Sequence, residues 1–72
     1  MSVKDWVFLE TWIDPTGFPP YVLLLLIDEA QKCYVLDPKE DYGIVFSSDS
    51  YQETRYWLLE DEYERVNGRI AR

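Results

Sequence analysis

The stretch "YVLLLLIDEA", residues 21–30, sets four consecutive leucines in the middle of a 72-residue chain whose net charge is −7. How that run folds decides the architecture. Leucine alone permits a helix, but the apolar run from Tyr21 to Ile27 is seven residues long and is bounded by Pro20 and the polar "DEAQK". Buried strands typically run about 4–8 residues, whereas helices need about ten or more. The run therefore reads as a strand. Its alternate sets are Tyr21, Leu23, Leu25, Ile27 and Val22, Leu24, Leu26, Asp28. Both are apolar, so the strand is expected to leave water on both faces.

Three further strands follow from the same reasoning. "DWVFLETWI", residues 5–13, is rich in β-branched and aromatic types and alternates between Trp6, Phe8, Glu10, Trp12 and Val7, Leu9, Thr11, Ile13. The next segment, "DPTGFPP", holds Pro15, Gly17, Pro19 and Pro20 and enforces a turn or wide loop. After the leucine strand, "DEAQ" is a short hairpin loop and "KCYVLD", residues 32–37, a third strand. "PKEDYG" turns the chain, with Gly43 able to take positive φ. "IVFSS", residues 44–48, is the fourth strand.

Beyond Ser48 the period changes. Ser50 is an N-cap and Glu53 completes a capping box. Tyr56, Leu59, Tyr63, Val66 and Ile70 fall on one stripe at helical spacing, which carries a helix to about Val66. Asn67 and Gly68 fit its stop, and Arg65 and Arg69 suit the negative end of its dipole. The crowded acids of "EDEYE" weigh against so long a helix, and the alternative is a helix ending near Leu59 or Glu60, with Tyr63 to Ala71 as a last strand or arm; the longer helix is the expectation. The expected fold is α+β, a four-stranded antiparallel meander in the order 1-2-3-4 followed by one C-terminal α-helix. The leucine strand then lies inside the sheet. One helix covers one face. The other must be covered by curling of the sheet, by the C-terminal arm or by a second chain.

The totals bound the function. Residues 1–72 make one small domain, of a size that buries a modest core. Apolar residues at 47% and aromatics at 17% exclude a disordered chain. Fourteen Asp and Glu against seven Lys and Arg would repel a phosphate backbone, so neither nucleic acid nor an anionic membrane is an expected partner. "MSVKDW" has no basic-then-apolar signal pattern, and seven apolar residues fall well short of the roughly 20 that span a bilayer. A cytoplasmic location is the default expectation.

Histidine is absent, which removes Ser–His and Cys–His pairs and His metal ligands. The single cysteine, Cys33, forms no internal disulfide and reads as a small buried hydrophobe. Asp37, Glu40 and Asp41 share one loop and Glu60, Asp61 and Glu62 another, but neither has the spacing of a calcium loop. No glycine-rich phosphate loop occurs. No catalytic residue, cofactor or metal is expected, and the chain is not expected to be an enzyme.

Two features remain. Most of the aromatics will fill the core, but a subset forming an exposed patch would mark a contact surface. The candidates are Trp6, Phe8, Trp12, Tyr21 and Trp57, with Trp57 placed off the main helical stripe. The acids Glu60, Asp61, Glu62 and Glu64 form a candidate acidic patch. The segment "YVLDPKEDYGIVFSSDSYQETRYWLLEDEYERVNGR" resembles short uncharacterised bacterial proteins of cyanobacterial type, which implies a compact domain of unknown function and transfers no site. The expected role is a non-enzymatic protein–protein interaction domain, partnered by another protein or homodimeric through an apolar sheet face. The alternative is an acidic inhibitor that mimics nucleic acid and blocks a basic site on another protein.

Overall fold

The computed structural model describes residues 5–71, so the reading of the "MSVKDW" start falls largely outside it. The fold is α+β: one antiparallel sheet and one α-helix. The strands are β1 (Trp6–Asp14), β2 (Tyr21–Asp28), β3 (Cys33–Asp37), β4 (Gly43–Ser48), β5 (Glu64–Arg65) and β6 (Ile70–Ala71), and the helix α1 (Tyr51–Glu60) lies between β4 and β5. The sheet order is β4-β3-β2-β1-β5, with β6 also paired to β1. The meander of the first four strands is as the alternation predicts, and the leucine strand is interior. The strand count is higher than four because the C-terminal arm returns to the free edge of β1.

Register assigns the two faces. Glu10, Trp12 and Phe8 stand opposite Leu25, Leu23 and Ile27, and Leu25 and Ile27 stand opposite Val35 and Cys33. These residues share the face on which α1 packs, and Leu58 of the helix joins Trp12, Leu23, Leu25, Ile27, Cys33 and Val35 in one core cluster. The other face carries Leu9, Thr11 and Ile13 of β1, Val22, Leu24 and Leu26 of β2, and Tyr34 and Leu36 of β3.

Two bulges alter the simple alternation. One lies between Trp6 and Phe8, so Trp6 pairs with Asp28 while Phe8 pairs with Ile27. Trp6 therefore leaves the face of Phe8 and Trp12, with which strict alternation groups it. The other lies between β3 and β4: Val35 pairs with Phe46 and Leu36 with Ile44, leaving Val45 as the extra residue. In the turn before β4 the positive φ angles fall on Asp41 and Tyr42, not on Gly43.

The helix ends at Glu60, short of the expected end near Val66, and Glu64–Arg65 is a strand, so the shorter alternative is the correct one. Ser50 is the N-cap, its hydroxyl accepting from the Glu53 N–H at 3.1 Å. The reciprocal half of the capping box is replaced by Ser48, whose Oγ accepts from the Ser50 N–H at 3.0 Å. The chain leaves the helix at Asp61, and Glu62 takes the left-handed conformation with φ 64°. Acids at a helix C-terminus oppose the dipole, so continuation through "EDE" is disfavoured. The stripe Tyr56, Leu59, Tyr63 is not the packing face. Tyr56 and Leu59 are exposed, while Thr54 and Leu58 are fully buried and Trp57 stacks on Phe46 with ring centroids 4.7 Å apart.

Leu58 is the helix's one fully buried leucine. Leu58→Ala is expected to cost about 2–5 kcal/mol, because it leaves a cavity against the sheet. Urea unfolding checks this, and Leu59→Ala, at an exposed position, serves as the near-neutral comparison.

Candidate functional site

The predicted aromatic patch does not assemble on a free surface. Trp12 is 1% exposed and lies in the core. Phe8, Tyr21 and Trp57 are partly buried against that core. Trp57 is held inward by Phe46, contrary to its placement off the packing stripe. Tyr21 donates its hydroxyl hydrogen to the Asp37 carboxylate, and this bond first, with burial second, pushes its phenol up to about 12. Trp6 alone moves to the opposite side of the sheet.

What the structure brings together instead is two surfaces. The first is the sheet face turned away from α1. In its middle Leu26 and Leu36 are buried. Around them Leu9, Ile13, Val22 and Leu24 are partly buried, and Ile44, Val66 and Ile70 are exposed at 47%, 41% and 57%. Val66 and Ile70 reach this rim because the C-terminal arm pairs with β1: the Val66 N–H donates to the Thr11 carbonyl at 2.8 Å, and Ile70 stands opposite Leu9.

The second surface lies on the helix side. Glu10, in the centre of β1, is completely buried. It accepts from the Trp12 indole Nε1 at 3.1 Å, from the Tyr51 hydroxyl at 2.9 Å, and from Arg69 Nε and Nη2 at 2.9 and 2.6 Å. Arg65 Nη1 lies 3.5 Å away. The Arg69 guanidinium also sits over the rings of Phe8 and Tyr51. Burial pushes the Glu10 carboxyl up, but hydrogen bonds from Arg69, Tyr51 and Trp12 and the charge of Arg69 outweigh it, and the net effect is a lowered pKa. Arg65 and Arg69 thus serve this carboxylate rather than a helix end. A single ionised residue in the apolar set Trp6, Phe8, Glu10, Trp12 is the signal in the sequence, since a buried carboxylate demands a cation.

Above the Glu10 cluster is a cleft of about 750 Å³, lined by Trp12, Tyr51, Arg55, Leu59, Glu64, Arg65 and Arg69. Tyr51, Arg55 and Leu59 recur every four residues and form the helix wall; Glu64, Arg65 and Arg69 form the wall across β1. The acids Glu60, Asp61 and Glu62 are exposed around the turn after α1, and of the predicted acidic patch only Glu64 enters the cleft. Cys33 is fully buried, and burial raises its thiol above the ordinary range. Among the described residues no group of three or more His, Cys, Asp or Glu could hold a metal ion, and no helix is long and apolar enough to cross a membrane.

No family model, no curated protein and no solved structure matches the chain.

Because the folded-state pKa of Glu10 is lowered, its stabilisation is present above its ordinary value of 4.5 and is lost as pH falls through the lower folded value. Arg69→Ala is expected to cost about 2–3 kcal/mol near pH 7, reduced from the full cost of breaking a buried pair because Arg69 is partly exposed. The loss should shrink near pH 4, where burial, no longer opposed by the guanidinium, lets the carboxyl take up its proton. Urea midpoints of both proteins at the two pH values measure this.

Proposed function

We propose that this is a non-enzymatic interaction domain that associates with a second copy of itself through the sheet face opposite α1. One observation carries the reading: an apolar face on the five-strand order β4-β3-β2-β1-β5, with α1 on the other side and Ile44, Val66 and Ile70 exposed at its rim. Leu26 and Leu36 are already buried in the single chain, so the accessible part is the partly buried Leu9, Ile13, Val22 and Leu24 with the exposed rim, and clustered apolar groups of this kind mark a contact site.

Charge favours a second copy as the occupant. The five strands hold nine, eight, five, six and two residues, which at about 3.4 by 4.8 Å per residue give a face of roughly 500 Å². That is below the roughly 800 Å² each partner contributes to a standard stable interface and fits a weak, concentration-dependent association. The middle of the face is made of Leu9, Thr11, Ile13, Val22, Leu24, Leu26, Tyr34 and Leu36, none of them charged. The acids of that face stand at its edges, Asp28 at the end of β2 beside Tyr34 and Glu64 opposite Ile13, so two copies that each carry −7 can meet over its uncharged middle. An isologous pairing needs only a patch complementary to itself.

The exposure of Glu60, Asp61 and Glu62 around one turn supports a second reading, an acidic surface that occupies a basic site on another protein. The two readings differ in their response to salt. Apolar self-association holds or strengthens as salt rises, whereas occupation of a basic site weakens.

Analytical ultracentrifugation is expected to give twice the 8.6 kDa of one chain at high protein concentration, largely independent of salt. Leu24→Lys should return the mass to that of one chain while keeping the far-ultraviolet circular dichroism of the fold. A wild-type chain that stays monomeric at every accessible concentration sinks the proposal, whatever the variant does.

A further inference from the structure

We propose that the cleft between α1 and the β5 wall binds a small organic carboxylate. It lies on the opposite side of the sheet from the self-association face, so the proposal stands apart from that reading.

The placement of cations is the starting point. The chain has seven Lys and Arg, and three of them, Arg55, Arg65 and Arg69, line this one cleft. They come from separate elements: α1, β5 and the arm after β5. Glu64 is the only acid on the cleft wall, and Glu10 lies behind it. Three positive and two negative groups leave one positive charge in a molecule whose total is −7. The two ion pairs to Glu10 both fall on one oxygen, Oε2, from Arg65 and Arg69. Arg55 has no hydrogen bond or ion pair among the described residues, so its guanidinium is uncommitted.

Guanidinium is suited to a planar carboxylate because its N–H groups form a fork that matches two oxygens. One residual positive charge suits a monoanion better than a phosphate dianion. The orientation of Arg69 is fixed before any ligand arrives, by two hydrogen bonds to Glu10 and by the rings of Phe8 and Tyr51. The remaining lining is apolar or aromatic: Trp12, Tyr51 and Leu59. Leu59 is 47% exposed, although it sits on a helix with core positions still to choose from, and it forms the outer lip of the cleft. A volume of about 750 Å³ falls within the roughly 300–1,000 Å³ of small-molecule sites. The ligand class that uses every part of this lining has a carboxylate for the arginines and an apolar, ring-sized body for Trp12, Tyr51 and Leu59.

The test titrates the full chain, labelled with nitrogen-15, with phenylacetate, with its neutral counterpart phenylacetamide, and with inorganic phosphate. Phenylacetate is expected to shift the Trp12 indole N–H and the arginine Nε–H signals saturably, and to bind more weakly as salt rises. Phenylacetamide should leave these signals in place. Arg55→Gln, at an exposed position without partners in the fold, should weaken phenylacetate at least tenfold while the remaining spectrum stays that of the folded chain. Equal binding of acid and amide, or unchanged affinity in Arg55→Gln, overturns the arginine assignment. Phosphate that binds more tightly than phenylacetate overturns the assignment of an organic monoanion.

Discussion

Glu10 is the constraint around which the molecule is organised. A carboxylate in the middle of a strand, 0% exposed and opposite Leu25, cannot stay ionised without strong partners. The meander offers it only the Trp12 indole. Tyr51 at the start of α1 and Arg69 near the C-terminus supply the rest, across 41 and 59 residues of sequence. One buried charge therefore couples the first strand, the helix and the terminal arm. It explains why the chain after Glu62 returns to β1 instead of extending the helix, since Arg65 and Arg69 reach Glu10 only from that edge. Val66 and Ile70 are carried along with them to the far rim of the sheet. The apolar rim on one side and the arginine cleft on the other are consequences of the same return.

The leucine strand sets the second condition. Its set Leu23, Leu25, Ile27 is covered by α1 and joined to Leu58, and its other set, Val22, Leu24, Leu26, faces away from the helix. A sheet buried on one face would alternate apolar with polar residues. This one does not. Full burial of a leucine side chain is worth roughly 1.5–3 kcal/mol; Leu26 and Leu36 on that side already have it within the single chain, and only the partly buried Leu9, Val22 and Leu24 and the exposed rim have burial left to gain. For a domain of 72 residues that gain is a sizeable part of the margin.

The first four strands are legible in the sequence because proline, glycine and acidic turns bound runs of the right length, and because alternation is a two-residue period that few residues suffice to show. The end of the helix is harder. Residues 56–59 are aromatic or apolar all round the helix, so a stripe through Tyr56, Leu59 and Tyr63 is as regular as the true packing set of Thr54, Trp57 and Leu58. What separates them is the stacking of Trp57 on Phe46, a contact between residues eleven apart whose partner strand has first to be in place. The bulge that turns Trp6 away from Phe8 leaves no trace in composition. Glu10 is different: an ionised residue within an apolar set is visible in the sequence, and Arg65 and Arg69 are the cations that pair with it among the described residues. Two-residue strands such as β5 and β6 carry no periodic signal at all, because they exist through that ion pair rather than through their own pattern.

The distribution of charge follows from this. Of the cations within the described residues, Lys32 and Lys39 sit over the rings of Tyr34 and Tyr21, and Arg65 and Arg69 are drawn to Glu10. Arg55 is left facing them across the cleft. The acids, twice as numerous, lie on loops, helix ends and strand ends, with Glu10 and Asp37 as the buried exceptions among the described residues. A protein with a surplus of negative charge thus concentrates its positive charge at one concave place. Of the five cations within the described residues three line this cleft, and walls such as Trp12, Tyr51 and Leu59 lower the local dielectric, which strengthens the field of those arginines relative to open solvent. The burial of Glu10 also fixes what Arg69 can still offer: its Nε–H and one Nη2–H are committed to the carboxylate, so only its outer N–H groups face the cleft, beside Arg65 and Arg55, the latter unpaired among the described residues.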